Sequence, residues 1–231
     1  MDVYHVPDDV ERDDALRLAW SWLDERAAHP RLVIVPVRDS VGHSPVLRAI
    51  ASRVRTETSR TLYGSGALRR DSAVAIVWPS RETLDEVANH RPAEVLVVPW
   101  RTEQSDGWLR AHGSQPVTGG TPLASPGISD PVVHAGMRDV TAWINLNNNL
   151  VQSEDRDYTI LALRTLHGHG HRLDGAELET WALANSWEGK GATRLRTYAE
   201  EVVAGKRHRI SSLSPKLGAE SYVHWLADAA L

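Results

Sequence analysis

The segment His167-Gly168-His169-Gly170-His171, with Asp174 close behind, sets three imidazoles at alternate positions on a glycine-rich stretch. Zinc accepts nitrogen and carboxylate ligands, so His167, His169 and His171 can converge on one ion without cysteine. The spacing matches no catalytic zinc pattern such as H-E-x-x-H. The competing reading is a helix end: Leu166 closes a helix, the two glycines supply the turn, and Asp174 caps the next helix.

A second set comes from three apolar runs that each end at a proline, VIVPVRDS, AIVWPSRE and LVVPWRTE. Their exits carry Arg38, Ser40, Trp78, Ser80, Arg81, Trp100 and Arg101. Arginines and helix N-termini hold anions, and tryptophan faces stack on rings or cations. These seven residues are therefore expected to bind a ligand. In the alternative the serines are caps, the arginines are solvated and the tryptophans plug the sheet edge.

A third set is basic. Between Ser186 and Lys216 stand Lys190, Arg194, Arg196, Lys206, Arg207, Arg209 and Lys216, against Glu188, Glu200 and Glu201. Lys190, Arg194 and Arg196 open a helix where a recognition helix presents groups to a groove. A second stretch contains Arg53 and Arg55 within Arg48 to Arg70. Nucleic-acid contact is expected at Arg53, Arg55, Lys190, Arg194, Arg196, Lys206, Arg207 and Arg209, since phosphate binding needs local positive charge. Trihelical modules also serve in protein contact. Asp155 and Asp157 read as caps and solvated charge, and Asn145 to Asn149 as a capping loop. No nucleophile-elbow sequence G-x-S-x-G occurs.

The elements that position these groups follow from periodicity. Arg12 to Ala28 is amphipathic after Asp13 and Asp14, which suit a helix start. Three short β-branched runs follow, Leu32 to Val35, Ala73 to Val77 and Val95 to Val98, as in strands covered on both faces. Val54 to Thr58 offers a further strand. Each run leads to a helix: Pro45 to Ser52 after Ser44, Arg81 to Asn89 after Ser80, and Gln104 to His112. Val117 to Pro131 is dense in Gly, Pro, Ser and Thr and reads as a linker. Helical spacing then dominates, at Val132 to Leu146, Tyr158 to Leu166, Ala176 to Ala184, Ala192 to Val203 and Ala219 to Ala230, with Gly189 to Gly191 as an interruption.

The expected architecture is a three-layer Rossmann-like parallel α/β domain of three or four strands over residues 1–116, a linker over 117–131, and an all-α, winged-helix or helix-turn-helix-like module over 132–231. Of the nine Trp, Trp20, Trp22, Trp143, Trp181, Trp187 and Trp225 fall at core-like helical positions. The chain lacks cysteine, which excludes disulfides, thiolate metal sites and a cysteine nucleophile. Its net charge of -4 argues against indiscriminate coating of nucleic acid. An acidic N-terminal stretch from Asp8 to Asp14 and the absence of any apolar run near ~18 residues point to a cytoplasmic protein without membrane contact.

HPRLVIVPVRDS, VAIVWPSRETLDEV and EVLVVPWRTE, over residues 12–103, stand in an order that resembles part of the RecA-like nucleotide-binding domain of superfamily 2 helicases. That resemblance implies the fold without the motor. G-x-x-x-x-G-K-[ST] is missing, and Pro99 and Trp100 stand where the metal-binding acids would be. Trp78-Pro79-Ser80, Asn145-Leu146, Asp155 and Trp181 to Trp187 resemble actinobacterial (bacterial) proteins that join such a layer to a helical module, a likeness that implies no function. The expectation is a non-catalytic binding protein whose helical module and basic stretches contact nucleic acid or a protein partner. The alternatives are an enzyme or sensor taking a nucleotide or other anionic ligand at the sheet's carboxyl edge, and a structural or assembly protein.

Overall fold

Apolar residues at consecutive positions require cover on both sides of a sheet, and both sides are covered here. The computed structural model describes residues 1–27, 29–62, 65–100, 102–124, 127–211, 217 and 219–231. They divide into two compact units, Met1–Ala124 and Ser125–Leu231.

In the first unit the described residues form six parallel strands, β1 (Asp2–His5), β2 (Arg31–Val35), β3 (Arg55–Thr58), β4 (Ala73–Val77), β5 (Glu94–Val98) and β6 (Gln115–Pro116), in the order β3-β2-β4-β5-β1-β6. Five helices accompany them: α1 (Arg12–Asp24), α2 (Pro45–Ala51), α3 (Ser59–Leu62), α4 (Arg81–His90) and α5 (Thr102–Ala111). Alternate strand residues enter opposite cores. Val33, Val35, Ala75, Val77, Leu96 and Val98 pack with Leu16, Trp22 and Leu23 of α1 and Leu47 and Ile50 of α2. Leu32, Ile34, Val74, Ile76, Val95 and Val97 pack with Leu62 of α3, Leu84 and Val87 of α4, and Trp108 and Leu109 of α5. Two helices thus lie on one face and three on the other, as right-handed crossovers require when the chain moves first one way and then the other across a sheet.

Three expectations change. The sheet has six described strands, not three or four, and the chain begins with β1, not with a helix. β1 pairs with both β5 and β6, so it lies inside the sheet. With β4 and β5 between β1 and β2, the order also departs from the 3-2-1-4-5-6 of a Rossmann sheet.

The second unit contains α6 (Pro131–Trp143), α7 (Ser153–Gly168), α8 (Gly175–Ala184), α9 (Gly189–Val203) and α10 (Ala219–Ala229). No strand occurs among its described residues. Met137, Val140, Ile160, Leu163, Leu166, Leu178, Leu195 and Trp225 are central to its core. Gly189 and Gly191 do not interrupt α9 but open it. Asn149 accepts the Gly191 N–H at 3.0 Å, and a Cβ at Gly191 would sit 3.4 Å from the Asn149 Oδ1. Asn149 itself holds a positive φ of 55°, which asparagine tolerates.

The proline- and glycine-rich stretch is anchored at both ends. Val117 donates to the His5 carbonyl at 2.8 Å, Leu123 donates to the Ser114 carbonyl at 2.8 Å, and Ile128 is buried in the helical core. Trp143, expected in a core, is 67% exposed. Among the described residues no helix is long and apolar enough to cross a membrane.

Candidate functional site

The division of helices between the two faces fixes where crevices open. Chain leaving β1 and β2 goes to one face; chain leaving β3, β4 and β5 goes to the other. Neighbouring strands therefore part company at β3/β2, β2/β4 and β5/β1, and at such switch points the carboxyl ends of parallel strands leave room for a ligand. A depression lies at each.

At β5/β1 a cavity of about 340 Å³ is lined by Pro7 and Asp8 beyond β1, Arg12 of α1, Trp78 beyond β4, and Pro99 and Trp100 beyond β5. At β2/β4 one of about 610 Å³ is lined by Pro36, Ser40 and His43 beyond β2, again with Arg12, Trp78 and Trp100. The three shared residues form one cluster. The indoles of Trp78 and Trp100 meet edge to face with centroids 5.1 Å apart, and the Arg12 guanidinium lies 4.5 Å from the first and 5.3 Å from the second. Arg12 makes no hydrogen bond or ion pair to any described residue.

Trp78 holds a left-handed φ of 52° while its N–H donates to the Val98 carbonyl at 2.8 Å. For an L-residue with a large side chain this conformation costs about 1–2 kcal/mol. Pro79, next along, is buried and cannot continue a ladder. Trp100 stays 55% exposed.

The third depression, at β3/β2, has about 860 Å³ and includes Arg38, Arg55, Glu57 and Arg60. Burial works to raise the Glu57 carboxyl, but the Thr61 hydroxyl at 2.7 Å, the Arg55 guanidinium and the charge of Arg38 outweigh it and hold the group below its usual value. It remains a carboxylate.

The expected ligand residues are therefore only partly brought together. Ser40, Trp78 and Trp100 share the β2/β4 depression. Arg38 belongs to the β3/β2 depression instead. Ser80 caps α4, accepting from the Thr83 N–H at 3.3 Å, and Arg81 pairs with Asp85 at 3.0 Å. Arg101 lies outside the described residues. Arg12 was missing from the expected set. The signal was there, in a charged residue just past Val3-Tyr4-His5, but only recognition of that segment as a strand would have put it at the sheet edge.

The nucleic-acid set is largely engaged. Arg194 donates to the Asn149 carbonyl, Arg196 pairs with Glu179 and Glu200, Lys206 pairs with Glu201, and Arg55 pairs with Glu57. Arg53 is exposed, its guanidinium 5.7 Å from the Trp20 ring. Lys190, Arg207 and Arg209 are exposed, and Lys216 lies outside the described residues. Lys206 and Arg207 line a shallow cavity of about 460 Å³ with Arg164, His167 and His208.

The histidine segment spreads out. His169 stacks on Tyr222 with centroids 3.7 Å apart, while His171 uses Nδ1 toward Asp130 at 2.7 Å and Nε2 toward the Tyr222 hydroxyl at 2.9 Å. His167 faces the shallow basic cavity instead. Among the described residues no group of three or more His, Cys, Asp or Glu is placed to hold a metal ion. Asp174 accepts from the Ala176 and Glu177 N–H groups and caps α8.

Asp157 departs from the surface cap expected of it. Its side chain is fully buried, accepts from Arg156 at 2.6 Å and receives the Ser211 N–H at 2.7 Å. It ties α7 to the chain beyond α9.

Residues 129–226, within the helical unit, match the family model of a domain of unknown function, DUF1889. No curated protein and no solved structure matches the chain.

Proposed function

We propose that the protein binds a planar, anionic small molecule of the nucleotide class in the crevice at the carboxyl edge of its sheet. The observation that carries this reading is the Arg12, Trp78 and Trp100 cluster. It joins a guanidinium whose donors meet no acceptor among the described residues to an exposed indole face, at a switch point where parallel sheets take ligands. Arg12 receives the anion, its plane oriented by the Trp78 ring. Trp100 stacks on the ligand's ring, and Ser40 and His43 supply polar contacts from the far side of the β2/β4 depression. The strained backbone at Trp78 supports the same reading, because such strain gathers where a side chain must be aimed.

Isothermal titration of the full chain with AMP, adenosine and inorganic phosphate tests it. AMP is expected to bind at least about tenfold more tightly than adenosine, and Arg12→Gln and Trp100→Ala are each expected to lower AMP affinity about tenfold. Absence of saturable AMP binding, or unchanged binding by both variants, overturns the proposal.

A second reading, phosphate contact by the helical unit in a helix-turn-helix or winged manner, is favoured by the shallow cavity that gathers Arg164, His167, Lys206, Arg207 and His208. Binding of duplex DNA or RNA that weakens steeply with salt, and less steeply in Arg207→Ala, supports it. Binding that is absent at low ionic strength removes it.

A further inference from the structure

One cavity of the helical unit, open to solvent on one side, is unconnected with either reading above. A cavity of about 670 Å³ lies among α6, α7, α8 and α10, walled by Trp143, Tyr158, Trp181 and Trp225 and carrying Asp139 and Asp228. Asp139 is held in place by two donors. The Tyr158 hydroxyl at 2.9 Å and the Trp225 indole N–H at 3.1 Å both donate to its Oδ2. Its Oδ1 has no hydrogen-bond partner among the described residues, so one oxygen anchors the group and the other is left for a guest. Burial, then the hydrogen bond and charge of Asp139, push the Tyr158 phenol above its usual value, which keeps its hydroxyl a donor.

Trp143 is the unexplained part of this cavity. It is 67% exposed, yet it lies against Tyr158 with ring centroids 5.7 Å apart at 34°. An indole kept at the mouth of a cavity, beside a buried phenol and a fixed carboxylate, offers two electron-rich faces and a negative charge to the same guest. Aromatic walls with a carboxylate favour an alkylated ammonium ion: its charge is attracted by the ring faces, and its methyl groups bury apolar surface without needing hydrogen bonds. The other ionisable lining groups are Arg138 and His224. Arg138 is exposed, so solvent and salt screen its repulsion.

We infer that this cavity is a binding site for a quaternary or otherwise alkylated ammonium group, caged by Trp143, Tyr158 and Trp225 and neutralised by Asp139. A free small molecule and a methylated lysine side chain carry the same chemistry.

Calorimetric titration of the full chain with choline, with N-acetyl-trimethyl-lysine amide and with 3,3-dimethyl-1-butanol, the uncharged isostere of choline, tests the inference. At least one ammonium probe is expected to saturate, with the neutral isostere about tenfold weaker or worse. Whichever of the two ammonium probes binds more tightly identifies the source. Asp139→Asn is expected to lower that affinity about tenfold, and Trp143→Leu to lower it similarly with an unchanged melting temperature, because its ring is mostly in solvent. If Asp139→Asn fails to fold, Trp143→Leu and the neutral isostere still decide. Equal binding of isostere and cation, no saturation with either ammonium probe, or wild-type affinity in Trp143→Leu overturns the inference. None of these outcomes bears on AMP binding by the sheet unit.

Discussion

The Arg12 guanidinium stands 4.5 Å from the centre of the Trp78 ring, although one residue opens the helix after β1 and the other leaves β4 two strands away. The contact exists because β5, between them, ends level with β4, Val98 opposite Val77, and turns off at Pro99. The chain leaving β1 then bends toward one face while the chain leaving β4 bends toward the other. A cation over an indole contributes about 0.5–1 kcal/mol where solvent reaches it. That is too little to set the fold, and it is less than the backbone cost at Trp78. The pair is better understood as an arrangement the fold holds than as one that holds the fold.

The strain at Trp78 separates two substitutions that otherwise look alike. Trp78→Ala and Trp78→Gly both remove the indole, yet only glycine adopts a φ of 52° without penalty. Urea unfolding is expected to find the glycine variant more stable than the alanine variant by about 1 kcal/mol, reversing the usual order for a structured position. Equal stability, or greater stability of alanine, would contradict a left-handed Trp78.

His112 makes the sheet unit sensitive to mild acid. Burial, assisted by the charge of Arg81, lowers its affinity for a proton below the ordinary value of 6.5, although its Nδ1–H donates to the Trp108 carbonyl at 2.8 Å and its ring stacks on Trp108. Burial lowers His5 in the same way. An unfolded chain then binds more protons than the folded one as the pH drops through 6.5, so stability is highest above that value and falls below it. Chemical denaturation between pH 8 and pH 5 is expected to show this loss, and His112→Leu to flatten its slope. An unchanged slope in the variant would exclude His112 as a source.

What the chain revealed by its residues, and what it hid, divides along physical lines. The runs at Leu32, Ala73 and Val95 announced themselves because strands covered on both faces must be apolar at every position. Ser44 and Ser80 were legible as caps because a hydroxyl before a helix has one local task. β1 was hidden: only Val3 of its four residues is buried, with Asp2 exposed and Tyr4 and His5 half-buried. No periodicity marks such a strand, and its place beside β5 is a tertiary fact. Missing it hid Arg12 as well. The basic groups of α9 were legible as charges but not as partners, since Glu179, on another helix, reaches Arg196 only after folding. Asp157 looked solvated because a charged residue in a helix start usually is, and its hydrogen-bond partner Ser211 lies far along the chain.

Asp130 joins two tasks. It caps α6 by accepting the Val132 and Val133 N–H groups and it accepts His171 at 2.7 Å. Burial works to raise its carboxyl, but the His171 hydrogen bond and then the two backbone N–H groups outweigh it, so it titrates below the ordinary 3.8. A lowered carboxyl contributes stability that is fully present above the unfolded value and is lost as the pH falls through the folded one. Asp130→Ala is expected to destabilise the helical unit by about 1 kcal/mol at pH 7, and the difference from wild type to shrink below about pH 4. Asp130→Asn, which keeps the cap acceptor, should lose less. A pH-independent difference would argue that packing, not charge, is what Asp130 supplies.

The buried Asp157 gives the largest expected effect. Its carboxylate is wholly out of water and its partner Arg156 is 36% exposed, so replacing Asp157 leaves one arginine half-hydrated and the Ser211 N–H without its acceptor. Removing one partner of a buried pair typically costs about 3–5 kcal/mol, and the partial hydration of Arg156 places this case at the lower end, about 3 kcal/mol for Asp157→Ala. Arg156→Ala leaves a buried carboxylate that still accepts from Ser211 and is expected to cost less. Thermal unfolding of both variants and of the double variant measures the coupling, which should fall well short of additivity because the two residues share one interaction. Additive losses would mean that Asp157 acts without help from the Arg156 guanidinium.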